Sequence, residues 1–212
     1  MQLKICEIYQ TLIGESTYSG LPCILIRLGG CNLNCRYCDT KYAKHEYHHE
    51  TLEEILATIS NYYPKRILIT GGEPLLQDSF IFFISFLQKQ GYQILLETNG
   101  SIDISAIDPE VIKIMDIKCP GSGECDKNKF LNINYLNNND EIKFVLSDKA
   151  DFLWAISIIE KYHLIGRFKI LFSPVTHCLP PKKLCKWILE KKLDVRIQLQ
   201  LHKIIWGDRR GI

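Results

Sequence analysis

Pro22-Cys23-Ile24-Leu25-Ile26-Arg27-Leu28-Gly29-Gly30-Cys31-Asn32-Leu33-Asn34-Cys35-Arg36-Tyr37-Cys38 is the stretch on which the reading of this sequence turns. Its first seven residues are a short, mostly apolar run stopped by two glycines. A run without apolar–polar alternation is the pattern of a strand covered on both faces. The same pattern returns at 66–70 before Gly71-Gly72 and at 93–97 before Thr98-Asn99-Gly100, and again at 111–117, 141–146, 167–172 and 194–201. Amphipathic segments with helical spacing lie between several of these runs, at 51–62, 79–90, 150–163 and 181–191. In the first of them Leu52, Ile55, Leu56 and Ile59 share a face, with Thr51 as cap and Glu54 three residues later. Gly91 suits the C-terminal cap of the second.

Apolar strands alternating with helices predict an α/β fold with a parallel sheet covered on both faces. About six such units in 212 residues fall short of a closed eight-fold barrel. The expectation is one domain over residues 1–212, an open, partial (βα)6 TIM-like barrel. Chemistry in such folds collects at the C-terminal ends of the strands. The cysteines, Gly71-Gly72-Glu73-Pro74 and Thr98-Asn99-Gly100 all follow strands, so they fall on that rim.

Composition sets the outer bounds. Hydrophobic content of 46% and charged content of 24% are ordinary for a globular protein. A net charge of +2 does not suggest a nucleic-acid partner. No apolar run approaches the ~20 residues of a membrane span, and residues 1–7 lack the apolar core of a secretion signal. The default expectation is a cytoplasmic protein. Nine cysteines, an odd number, do not suggest disulfides in a reducing compartment. Cys6, Cys23, Cys119, Cys125, Cys178 and Cys185 are dispersed and read as small buried hydrophobes or incidental residues.

Cys31-x-x-x-Cys35-x-x-Cys38 is different. A [4Fe–4S] cubane is usually held by four thiolates. Three leave one iron open to chelate the amino and carboxylate groups of S-adenosylmethionine, whose sulfonium then lies where one electron can cleave its C–S bond. A structural zinc site is the rival reading. It wants a fourth ligand, for which His45, His48 and His49 are at hand. Tyr37 is placed to pack on a cluster or an adenine. Gly71-Gly72 lets backbone approach a ligand closely, and Glu73 brings a carboxylate toward a methionine ammonium.

Together these residues resemble the radical S-adenosylmethionine superfamily, and within it the 7-carboxy-7-deazaguanine synthase family. The resemblance runs along most of the chain: 7–15 (EIYQTLIGE), 26–33 (IRLGGCNL), 35–40 (CRYCDT), 69–74 (ITGGEP), 97–100 (ETNG) and 198–203 (QLQLHK). Asp39-Thr40 directly after the third cysteine is the most discriminating piece. The resemblance implies a lyase of the queuosine and 7-deazapurine route. It would contract 6-carboxy-5,6,7,8-tetrahydropterin to 7-carboxy-7-deazaguanine with loss of ammonia, after a 5′-deoxyadenosyl radical takes the hydrogen at C6.

The resemblance also implies site roles and partners. Cys31, Cys35 and Cys38 would hold the cluster, and Thr40 a Mg²⁺. Leu12, Ile13, Gly14, Arg27, Thr70 and His202 would meet the substrate. Tyr37, Cys38, Asp39, Gly72 and Glu73 would meet S-adenosylmethionine, joined by Asp116-Ile117-Lys118 and Ser173-Pro174-Val175-Thr176. The last two stretches depart from the family's Ser-Pro-Lys and Gln-Pro, keeping only Lys118 and Pro174. A homodimer reduced by a flavodoxin or ferredoxin is implied too. An enzyme installing a glycyl radical on a partner protein shares the cysteine spacing and is the alternative reading. The basic tail at 204–212 goes beyond the motifs.

Overall fold

The computed structural model describes residues 1–212. Nine strands build one sheet: β1 (Gln2–Leu12), β2 (Pro22–Leu28), β3 (His48–Thr51), β4 (Arg66–Gly71), β5 (Gln93–Thr98), β6 (Ile112–Ile117), β7 (Glu141–Leu146), β8 (Lys169–Pro174) and β9 (Arg196–Ile197). Their order is β3-β1-β2-β4-β5-β6-β7-β8-β9, with the two ends unpaired, so the barrel is open. From β2 to β9 every neighbour pairs in parallel. The α/β architecture of a partial barrel is therefore present.

The helices are α1 (Leu52–Ile59), α2 (Phe80–Lys89), α3 (Lys149–Lys161), α4 (Pro181–Glu190) and α5 (Leu201–Trp206). The capping box at α1 forms as expected: Thr51 accepts from the Glu54 N–H and the Glu54 carboxylate takes the Thr51 N–H. Gly91 follows α2 with φ +80°.

The regular alternation does not hold throughout. No α-helix separates β5 from β6, and only short 3-10 turns lie between β6 and β7. Asparagine side chains hold these segments instead. Asn132 Nδ2 donates to the Gly100 and Ile102 carbonyls, and Asn128 Nδ2 to those of Lys118 and Cys125. Such bonds compete with a helix for the same backbone groups.

Three further differences concern the edges. The antiparallel β1 carries a register shift between Ile5 and Glu7, which breaks the period-two pattern that would have announced it. β3 is His-His-Glu-Thr and has no apolar residue to read. The strand expected at 194–201 shrinks to Arg196–Ile197, because the Leu201 N–H turns to the Gly14 carbonyl and the chain continues as α5.

The parallel strands bury both faces. Ile24, Ile26, Ile67, Ile69, Ile94 and Leu96 face the helices in the larger core. Cys23, Leu25, Leu68, Leu95, Ile112 and Ile114 face the barrel interior with Ile13. One or two residues further on, at the C-terminal ends of the strands, that interior row turns polar.

Candidate active site

The row continues as Arg27, Thr70, Glu97, Asp116, Lys143 and Ser173. All six line a cavity of about 660 Å³ at the C-terminal ends of the strands. Register sets them side by side: Arg27 opposes Thr70 and Asp116 opposes Lys143. Period-two side-chain geometry thus makes a hydrophobic floor with a charged ring above it.

The ring is internally neutralised. Lys143 Nζ lies 2.9 Å from Glu15 and 3.8 Å from Asp116 Oδ2, which also takes Lys118 Nζ at 2.9 Å. Burial alone would discharge Lys143, but Glu15, Glu97 and Asp116 outweigh it and keep the ammonium charged. Burial likewise works against ionised Glu15, yet Lys143 holds its carboxyl below the usual value. Thr70 Oγ1 donates to Glu97 at 2.8 Å. Asp116 Oδ1 is buried without a partner.

The cysteine loop closes one side. Cys31, Cys35 and Cys38 all line the cavity as free thiols. Burial pushes the Cys31 and Cys35 thiols up, with Lys118 pulling both the other way. Gly71 and Gly72 lean directly on this loop. A Cβ on Gly71 would overlap the Leu28 carbonyl, and one on Gly72 would overlap the Gly30 carbonyl and lie 2.8 Å from Cys31 Cβ. Gly71 also has φ +147°. Asn99 Nδ2 points at Cys31 Sγ from 4.0 Å.

Three thiols on one loop beside the cavity are a donor set that suits a cluster with one iron left open. His45, His48 and His49 are exposed and are not among the residues that line the cavity with the three cysteines.

The other side comes from distant sequence. A Cβ on Gly14 would overlap the His202 ring, so the 13–21 loop and α5 are in contact. Gln200 Nε2 bridges Glu15 Oε1 at 2.9 Å and Asp39 Oδ2 at 3.0 Å, and Lys203 Nζ meets Asp39 Oδ2 at 2.7 Å. Burial would raise the Asp39 carboxyl, but hydrogen bonds from Lys203 and Gln200 bring it down to about 2. Burial also lowers His202. Trp206 at the end of α5 joins the lining, as do Asp208, Arg209 and Ile212 beyond it.

Leu12, Gly14, Tyr37, Asp39, Thr40, Gly72, Lys118 and residues 173–176 line the cavity as well. Three expected residues do not. Ile13 packs into the core below. Ile117 lies in the helix-side core, because Asp116 and Lys118 take the inward parity. Glu73 is fully buried behind the rim, where its carboxylate accepts from Thr98 Oγ1 and from the Leu75 and Asn99 N–H groups. It clamps the glycine turn to the end of β5 rather than reaching into the cavity.

The sequence reading overlooked Glu15, Glu97, Lys143 and Gln200 as cavity residues. A lysine inside a strand buried on both faces was the available signal for Lys143; Glu97 shares the inward parity of Leu95.

The radical SAM superfamily model matches residues 25–175. The chain is 41% identical over 214 residues to the 7-carboxy-7-deazaguanine synthase of Chlorobaculum tepidum, covering 99% of this chain and 97% of that one. It is 40% identical over 219 residues to that of Koribacter versatilis, covering 96% and 97%. The crystal structure of QueE from Escherichia coli superposes with a TM-score of 0.77 at 25% identity, over 94% of both chains. The chain belongs to the 7-carboxy-7-deazaguanine synthase family of the radical SAM superfamily. It is an enzyme, and membership makes a [4Fe–4S] cluster and S-adenosylmethionine its cofactors. The glycyl-radical alternative is not favoured. No helix is long and apolar enough to cross a membrane.

Proposed function

We propose that this chain contracts 6-carboxy-5,6,7,8-tetrahydropterin to 7-carboxy-7-deazaguanine with loss of ammonia, as one radical SAM core domain over residues 1–212. The observation that carries the substrate assignment is Arg27. Its Nε donates to Glu7 Oε2 at 3.0 Å, Tyr9 lies within hydrogen-bonding reach of the same guanidinium, and the residue lines the cavity. A guanidinium held this way presents a two-pronged edge to a carboxylate.

When bound, the cluster and S-adenosylmethionine supply a hydrogen-abstracting adenosyl radical. The chain's own residues bind, orient and exclude water. Cys31, Cys35 and Cys38 hold the cluster, and Gly72 offers backbone to S-adenosylmethionine where no side chain fits. Tyr37, anchored by its hydroxyl to the Val145 carbonyl at 3.1 Å, and residues 173–176 flank the same space. Leu12, Gly14, Thr70 and His202 line the substrate side. Thr40 offers a hydroxyl, 3.8 Å from Cys38 Sγ, to a Mg²⁺ that would also take the substrate carboxylate. The reading includes a homodimer, a flavodoxin or ferredoxin as electron donor, and a cytoplasmic location suited to free thiols.

The test is anaerobic reconstitution followed by incubation with S-adenosylmethionine, dithionite, Mg²⁺ and the pterin, read by mass spectrometry. Formation of 7-carboxy-7-deazaguanine supports the assignment. Release of 5′-deoxyadenosine without it would refute the substrate, and zinc copurifying in place of iron would refute the chemistry. Thr40→Ala should abolish Mg²⁺ stimulation at unchanged cluster content. Arg27→Lys should weaken pterin binding.

A further inference from the structure

The segment after α5 borders the cavity mouth and is fastened there by the Arg210 side chain and by its last carbonyl. Arg210 Nε lies 3.2 Å from Glu7 Oε1, its Nη2 lies 3.0 Å from Glu46 Oε2, and its Cζ sits 3.5 Å from the centre of the Tyr42 ring. Arg27 lies over the same ring, with Cζ at 5.9 Å from the centre. Gly207 and Gly211, with φ +69° and +71°, bracket this anchor. The Ile212 carbonyl accepts from Thr11 Oγ1 at 2.7 Å.

Glu7 is therefore divided between two arginines. Its Oε2 holds Arg27 at 3.0 Å and its Oε1 holds Arg210. We propose that Arg210 is a positioning residue for the substrate carboxylate: by occupying Glu7 Oε1, it keeps Glu7 from closing a two-pronged pair with Arg27. The inference rests on the pterin-carboxylate reading of Arg27 given above.

The physical reason is competition. Carboxylate and guanidinium prefer the two-pronged pair when both are available. Without Arg210, Glu7 Oε1 loses its cationic partner while Oε2 still holds Arg27 Nε, which leaves the carboxylate free to turn its second oxygen toward the same guanidinium. An incoming carboxylate would then have to displace an internal one. Charge acts in the same direction. Glu7 and Glu46 against Arg27 and Arg210 make a neutral group of four. Removing Arg210 leaves it at −1, which repels an anionic ligand. Arg210 touches no reacting atom in this account; it acts through Glu7 on Arg27.

The experiment compares inhibition of the reconstituted enzyme by 6-carboxypterin and by pterin, which differ only in the carboxylate. Arg210→Ala should weaken 6-carboxypterin about tenfold, the size expected when a hydrogen bond to a charged group is lost, and leave pterin within about twofold. KM for the carboxylated substrate should rise by the same factor, with kcat and iron content near those of the parent. Arg210→Lys should recover part of the loss. Glu46→Gln loosens the outer anchor but leaves the bond to Glu7, so its effect should be under about threefold.

Equal weakening of both pterins by Arg210→Ala would make the residue a structural tie only and overturn the proposal. So would no weakening of either, or a Glu46→Gln effect as large as that of Arg210→Ala. A parent enzyme that fails to prefer 6-carboxypterin over pterin would instead overturn the carboxylate reading of Arg27, a separate result.

Discussion

The two walls of the cavity are built in opposite ways. The cysteine wall is local: three thiols within eight residues follow β2, braced by the glycine turn after β4. The far wall is assembled from residues remote in sequence. Lys143 meets Glu15 across 128 positions, and Gln200 meets the same carboxylate across 185. Short spacing and backbone packing hold the first wall in shape. The second depends on mutual neutralisation of buried charges, which only a folded barrel can bring together. The local wall should thus tolerate changes opposite it, whereas the far wall should respond as a network.

The largest effect should come from the local wall. Cys35→Ser removes one of the three thiols proposed to hold the cluster, and deoxyadenosine formation should fall by about a thousandfold or more with loss of bound iron. Full activity at normal iron would break the division between walls at its root.

Next comes the centre of the far wall. Lys143→Met leaves Glu15 and Asp116 buried against no lysine at that position. Stability should fall by about 3 kcal/mol, the usual size for an orphaned buried charge, seen as a lower urea midpoint with iron content retained. The pH dependence carries a sign. Glu15 is held below its ordinary value of 4.5, so the stabilisation from its pairing is complete above that pH and is lost as pH falls through the lower, folded-state value. The Met variant should lose this acid-side slope. An unchanged slope would remove the Glu15–Lys143 pair from the network.

Gly14→Ala sharpens the contrast at the seam between loop and α5. The added methyl overlaps the His202 ring. A cost of about 1–3 kcal/mol should appear as a raised KM for the pterin, while S-adenosylmethionine binding stays near normal. Equal damage to both ligands would mean that the walls are not separable there.

The smallest effect belongs to Asp39→Asn. Asp39 and Lys203 are a half-exposed pair, worth at most about 1 kcal/mol. Because Asp39 titrates at about 2, below its ordinary 3.8, the pair persists through neutral pH and is lost only as pH falls through about 2. A stability difference between the two proteins that changes between pH 6 and 8 would contradict this.

What could be read without coordinates follows the same division. The α1 capping box was readable because Thr51 and Glu54 are three residues apart and satisfy one another. The parallel strands were readable because burial on both faces leaves continuous apolar runs. β1 was not, since its irregularity after Ile5 breaks the alternation. Glu73 was misplaced toward the cavity because a motif gives position along the chain but not the direction of a side chain. Thr98 and Asn99, from the next strand, turn that carboxylate inward.

Residue patterns along the chain already carried the family, the spacing proposed to bind the cluster and the rim proposed to gather the chemistry. The family shows in motifs strung along most of the chain, whereas the cysteine spacing and the rim are set within a few residues by covalent spacing or by the periodicity of a buried strand. Tertiary structure alone decided the charged ring of Glu15, Asp116 and Lys143, the withdrawal of Ile13, Glu73 and Ile117, and the Arg210–Glu7–Arg27 chain at the mouth. Those depend on which side chains the closing sheet brings within a few ångströms, and electrostatics there is set by distance in space and burial, not by separation along the chain.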